Sequence, residues 1–417
     1  VWVLAVVLLA GGCFARNVPP IGAGGKPFTP DANERALWAR AEKEEEALLK
    51  RTKVYDDPLL EGYLTGIVDR LMADSVRTAG APAVKVIVIR DATLNAFTMP
   101  NAQVYVHTGL LSRLSNEAQL ATVLGHELTH YAHRHALKVS RSAGAAPKQG
   151  TTAVASGLGV AVAASAKSHD QGSAAVLSQT ASAILGLNLE LATVGAINGY
   201  GHDLEREADD VGMAALVRAG YDPREAPKGF QILKSESSER GTVETFFYGS
   251  AAQLQERITN TTRLVNTTYA RLAADDRIRN TEDFDLRLRP VVRENAYEDI
   301  RLGRYGLAEG QLGRVLTAAP NDPVAHVYYG DLYRLRAQWA KNTADRAADA
   351  QRAQERYERA SELDPTYPDP WRQLGYLYFQ ERDRERARTA FEKYIDLKPD
   401  APDARRIREY LTELDRP

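Results

Sequence analysis

Apolar residues open the chain as one unbroken run, Val1–Gly12, lose all pattern until about residue 30, and then return at helical spacing. Asp31 followed by Glu34 predicts a helix opened by a capping box and running to about Arg51. Leu59, Leu60, Tyr63, Leu64, Ile67 and Leu71 predict a second helix over 57–75. The run Val84–Ile89 is dense in β-branched residues and bounded by Pro82 and Asp91, which predicts a strand. Two shorter strands are expected at Ala96–Met99 and Gln103–His107, around the turn signal Pro100-Asn101. A helix then starts near Ser115, with Leu120, Val123, Leu124, Leu128 and Tyr131 on one side. Residues 149–166 and 171–189 are uncharged but built from Ala, Gly, Ser and Thr. Such small, partly polar residues suit packed helices or a lid near a site better than membrane spans. An inner-membrane protein using 149–189 as spans is the weaker alternative.

The last third is charged, helical and repetitive. Trp371, Leu374, Gly375, Tyr378, Ala387, Phe391 and Pro399 reproduce the large-and-small pattern of one 34-residue tetratricopeptide unit. An earlier copy runs through Tyr329, Gly330, Tyr333, Ala353, Tyr357, Ala360 and Pro365, with about 11 extra residues expected between its two helices. A weaker unit ends with Ala308, Leu312, Val315 and Pro320, and a capping helix is expected after Pro402. Stacked helix pairs leave a concave surface for a protein partner.

Composition narrows the classes. A length of 417 residues allows two or three domains, and 44% hydrophobic residues supply more than one core. Lys+Arg at 53 against Asp+Glu at 55 gives a net charge of −2, with no electrostatic footprint for nucleic acid. The single cysteine, Cys13, rules out an intrachain disulfide and a cysteine-rich metal cluster. It follows Leu9-Ala10-Gly11-Gly12, and Val1–Gly12 has the length of a signal-peptide core rather than a span. Residues 1–13 are therefore expected to be a signal peptide with a lipobox, and Cys13 a lipidation site. A conventionally cleaved leader is the rival, and the natural start is expected upstream of Val1. Phe14 carries no retention aspartate, so the expected address is the periplasm, lipid-anchored to the outer membrane. Residues 14–30, rich in Pro and Gly, are expected to be a linker.

The chemistry lies in His126-Glu127-Leu128-Thr129-His130. Residues four apart share a helix face, so both imidazoles can converge on one Zn²⁺ while Glu127 stands beside it as a general base. A catalytic zinc needs a third protein ligand. Glu205 and Asp209, i and i+4 in Glu205-Arg206-Glu207-Ala208-Asp209, both fit a face turned to the metal helix; Glu207, about 200° from the first on a helical wheel, is expected to face solvent. His133 and His135 are expected to be supporting or structural groups.

These motifs, with Asn95-Ala96-Phe97, Pro100 and Gly109-Leu110-Leu111, resemble the gluzincin metallopeptidases that include HtpX and the CAAX prenyl endopeptidases. The resemblance runs over residues 55–260, and exported members of that group also carry tetratricopeptide repeats. It implies an α+β, mostly α fold: a zincin-type domain with a small antiparallel sheet at 31–275, followed by an all-α solenoid at 289–417. It implies His126, His130 and Glu205 as ligands of one Zn²⁺, Glu127 as the base, and Asp209 as the group orienting a ligand histidine. Ala96, Phe97, Thr98 and Met99 would pair with an extended substrate. Relatives often carry a Ser-His-Pro turn before an arginine. Here Ser250-Ala251-Ala252 precedes Arg257, so a histidine latch over the metal is not expected. Arg257 is either a site group supporting negative charge or a helix-surface residue. The implied activity is a zinc endopeptidase acting on unfolded or misassembled envelope proteins. The alternative is a periplasmic chaperone or adaptor working through its repeats.

Overall fold

The three strands form where the β-branched run and the turn signal at Pro100-Asn101 predict them: β1, Lys85–Ile89; β2, Ala96–Met99; and β3, Gln103–His107. Their arrangement departs from the expected antiparallel sheet. The order is β1-β3-β2, with β3 parallel to β1 and antiparallel to β2. The short turn after Pro100 folds β2 and β3 into a hairpin, and β3 then inserts between β1 and β2. The chain reverses twice, so β1 and β3 run the same way. The structure, a computed structural model, describes residues 18–143, 200–240, 251–272 and 276–415.

The chain divides into two compact units, Val1–Phe284 and Asp285–Pro417. In the first, helices Ala32–Leu49, Pro58–Leu71 and Glu117–Ala132 each begin where a side chain accepts a hydrogen bond from the first turn. Asp31, Asp57 and Asn116 are those caps. The helix Glu117–Ala132 is the central element. Every residue from Glu117 to Tyr131 is buried, against β2, the helix Pro58–Leu71 and the helix His202–Arg218. Residues 18–30 are not the free tether expected. Val18 and Ile21 are buried, Ile21 N–H donates to the Ala132 carbonyl at 2.8 Å, and Phe28 N–H to the Ala79 carbonyl at 2.7 Å. Their apolar side chains have a surface to cover, which overrides the Pro and Gly composition. Cys13 and the stretches 149–166 and 171–189 lie outside the described residues. No helix among the described residues is long and apolar enough to cross a membrane.

The second unit is helical throughout. Its pairs are Pro323–Trp339 with Thr343–Leu363, and Pro368–Gln380 with Arg384–Leu397, closed by Ala404–Leu414. Within each pair a ring sits directly on a glycine, Tyr357 on Gly330 and Phe391 on Gly375. A Cβ at either glycine would come within 2.3 Å of ring carbon. The extra residues of the earlier copy do not form an insert between its helices. They lengthen the first by four residues and the second by seven relative to the later pair, with three-residue turns in both. Continuing a helix keeps backbone groups paired, where an eleven-residue loop would not.

Candidate metal centre

His126 and His130 lie one turn apart on the buried helix, with their Nε2 atoms 3.0 Å from each other. The third group arrives on the helix His202–Arg218, which crosses the first so closely that the main chains touch. A Cβ on Gly212 would lie 2.9 Å from the Gly125 carbonyl carbon and the His126 nitrogen. That approach sets Glu205 Oε2 3.3 Å from His126 Nε2, and Oε1 3.6 Å from His130 Nε2. Ligands about 2.0–2.1 Å from a tetrahedral zinc stand about 3.3–3.4 Å apart, so the three donors fit one ion. Two imidazoles and a carboxylate suit a divalent first-row ion, Zn²⁺ among them.

Proton placement fits the same picture. Asp209 Oδ1 lies 2.9 Å from His126 Nδ1, which places the ring proton on Nδ1 and leaves Nε2 its lone pair. Arg257 binds the same carboxylate through Nε at 2.9 Å and Nη2 at 2.6 Å, stacked over the Phe230 ring at 4.2 Å. It is not a helix-surface residue: its Nη2 lies 3.0 Å from His126 Nδ1 and 3.5 Å from His126 Nε2. Burial raises the Asp209 carboxyl, but the Arg257 guanidinium and His126 outweigh it and hold it low. Burial and Arg257 push the His126 imidazole down, yet in the metal-free protein the hydrogen bonds it donates to Asp209 and Glu205 lift it to about 9. Burial drives His130 well below its usual value. Glu205 is held well down by His130 and His126 against the opposing effect of burial.

Glu127 lies beside the ligands and is itself buried. Burial, then the charge of Glu205, raises its carboxyl to about 7, against the opposing pull of His126. Thr98 on β2 holds it, its hydroxyl lying 3.1 Å from Glu127 Oε2 and 3.0 Å from the Glu127 carbonyl. β2 is an edge strand, and His107 N–H donates to the Asn95 carbonyl at 2.9 Å. Antiparallel alternation then turns the main-chain groups of Ala96 and Thr98 away from β3, while Phe97 stacks on Tyr105 at 4.8 Å.

Two features escaped the sequence. Tyr200 N–H donates to Glu205 Oε1 at 2.8 Å and its ring packs on His130 at 4.7 Å, with no motif to mark it. Glu207 does not simply face solvent. Arg134, at φ 57°, reverses the chain after the metal helix, so the helix His135–Ala143 brings His135 and Lys138 to Glu207 while His133 meets it from the turn. Ala251, which stands where the relatives' latch histidine would, opens the helix Ala251–Asn266 that carries Arg257, while Ser250 lies outside the described residues.

An HExxH helix whose histidines meet a glutamate from a later helix, with the motif's own glutamate beside them, is the donor set of a metallopeptidase. The chain belongs to peptidase family M48, whose model matches residues 58–267, and a tetratricopeptide-repeat model matches residues 340–412. It is 32% identical over 183 residues to a putative beta-barrel assembly-enhancing protease of Vibrio cholerae, covering 44% of this chain and 34% of that one. It is 28% identical over 196 residues to the mitochondrial metalloendopeptidase OMA1 of Schizosaccharomyces pombe, covering 46% and 51%. It is 40% identical over 90 residues to the protease HtpX of Legionella pneumophila, covering 20% and 31%. The chain thus spans about a third of the length of the beta-barrel assembly-enhancing proteases it matches.

Proposed function

We propose that this chain is a zinc-dependent endopeptidase of the bacterial cell envelope that degrades misfolded or misassembled envelope proteins, outer-membrane barrels among them. The observation that carries the chemistry is the convergence of His126, His130 and Glu205 on one point with Glu127 beside it. The metal, when bound, supplies Lewis-acid activation of a water and of the scissile carbonyl. Glu127, poised near neutrality by burial, accepts the proton of the attacking water and passes it to the leaving amine as the C–N bond breaks. Thr98 fixes its carboxylate for both transfers. Asp209 keeps His126 in the ligating tautomer, with Arg257 fixing Asp209 in turn. The outward main-chain groups of Ala96 and Thr98 offer an extended polypeptide an added strand, with Phe97 and Met99 keeping β2 in place.

The envelope assignment draws on the apolar run before Cys13, as signal peptide and lipid attachment to the outer membrane, and on the printed names of the relatives. The repeats supply a partner surface. A cleft of about 590 Å³ in the second unit is lined by Arg334, Arg346, Arg372, Arg406, Tyr376 and other residues of its helices. That cleft favours a second reading, a chaperone or adaptor in which the repeats act and the metal site is latent. Casein digestion by zinc-loaded wild type and by Glu127→Gln, with zinc content measured on both, separates the two. Cleavage by wild type alone at equal zinc supports the protease; no cleavage by either, with one zinc bound, supports the adaptor.

A further inference from the structure

His130 has a buried neighbour of its own. Its Nδ1 lies 2.8 Å from Nδ1 of His135, a side chain with no exposed surface. His135 Nε2 faces Glu207 Oε2 at 3.3 Å and has no well-aligned hydrogen bond among the described residues. The other Glu207 oxygen lies 2.6 Å from His133 Nδ1, and Lys138 Nζ stands 3.1 Å from Oε2. By donor type and spacing, His133, His135 and Glu207 look like a second cation site.

Counting protons decides against that. Two ring nitrogens 2.8 Å apart share a single proton between them. A ligating His130 keeps the lone pair on Nε2, so its proton is on Nδ1 and is donated to His135 Nδ1. His135 then carries its own proton on Nε2, pointing at Glu207, and a protonated nitrogen cannot bind a metal. Lys138 already supplies positive charge to that carboxylate. We infer that His135, backed by Glu207, is a positioning strut that fixes the tautomer and ring direction of His130, as Asp209 does for His126, and that the cluster is not a second metal site. The inference rests on the metal reading of His126, His130 and Glu205.

The test uses the full-length protein, stripped of metal and titrated with Zn²⁺ against a chromophoric chelator, with thermal melting of the metal-free protein as the folding control. His135→Phe keeps a ring but removes the acceptor, and zinc affinity should fall about 10–100-fold. His135→Gln can still accept from His130 and donate to Glu207, and should restore affinity to within about threefold of wild type. If His135→Phe fails to fold, Glu207→Ala carries the test, since that side chain is one-third exposed. Weaker zinc binding with unchanged melting supports the strut; unchanged affinity overturns it. Equal losses in His135→Phe and His135→Gln would also overturn it, because packing alone would then explain the effect. So would two zinc ions per chain with one lost in His133→Ala. Failure of the underlying reading looks different: His126→Ala and His130→Ala would bind zinc like wild type, and the strut would fall with the site.

Discussion

Glu117 and Glu127 are buried on the same helix and are treated in opposite ways. Glu117 accepts from Tyr63 Oη at 2.7 Å, Tyr221 Oη at 2.5 Å, Asn280 Nδ2 at 2.5 Å and Arg70 Nη2 at 2.5 Å. Burial pushes its carboxyl up, but these donors outweigh it and hold it below the usual range. Its stabilising effect is therefore present above the unfolded value and is lost as pH falls through the folded one. Glu117→Gln should cost about 2 kcal/mol at neutral pH in urea unfolding, and the acid limb of the stability curve should flatten. Glu127 has the reverse sign. Its folded value, raised to about 7, means that stability is fully present below the ordinary 4.5 and is lost as pH rises toward 7. In the metal-free protein Glu127→Gln should therefore be more stable than wild type at pH 8, with the difference shrinking toward pH 5. Equal stabilities at both values would mean that Glu127 is not held in a desolvating site.

Between elements, the decisive feature is the bare crossing of the metal helix and the helix His202–Arg218 at Gly125 and Gly212. A methyl at Gly212 has backbone, not a flexible side-chain end, within 2.9 Å, so the helices must separate. Gly212→Ala should then draw Glu205 and Asp209 away from His126 together, and zinc affinity should fall by about tenfold or more. Titration against a chelator, with Gly62→Ala as a helix-glycine control that meets nothing within 4 Å, checks this. This crossing also marks how far the sequence could be read. The pair His126/His130 was legible because a shared ion imposes i, i+4 spacing on a helix, Glu205/Asp209 because both lie on the face that meets His126, and the strands because a β-branched run and the turn at Pro100-Asn101 bound them. The mixed sheet was not, since strand order depends on where β3 inserts and not on any residue pattern. Glu207 was placed on the side of its helix away from the metal, but its partners come from a chain reversal at Arg134 that no turn residue announces. The aim of Arg257 was equally hidden, because it depends on Phe230 and Asp209 meeting it from two other helices.

At the scale of the whole chain, each unit has a core of its own, so the proposed hydrolysis and partner binding can be tested separately. Leu64, Leu120, Leu124 and Leu216 fill the first unit, and Ala353, Tyr357, Ala387 and Phe391 the second, each among the most buried residues of its own unit. Damage to a repeat should therefore stay in the repeats. Gly375→Ala forces a methyl into the Phe391 ring, an overpacking that should cost the second unit about 1–3 kcal/mol. Calorimetry should show two transitions, with only one lowered by Gly375→Ala, while zinc content and casein cleavage stay at wild-type levels. Glu127→Gln should do the converse, abolishing cleavage and leaving the repeat transition where it was. Loss of casein cleavage in Gly375→Ala at full zinc occupancy would mean that the repeats take part in handling even an unselected substrate.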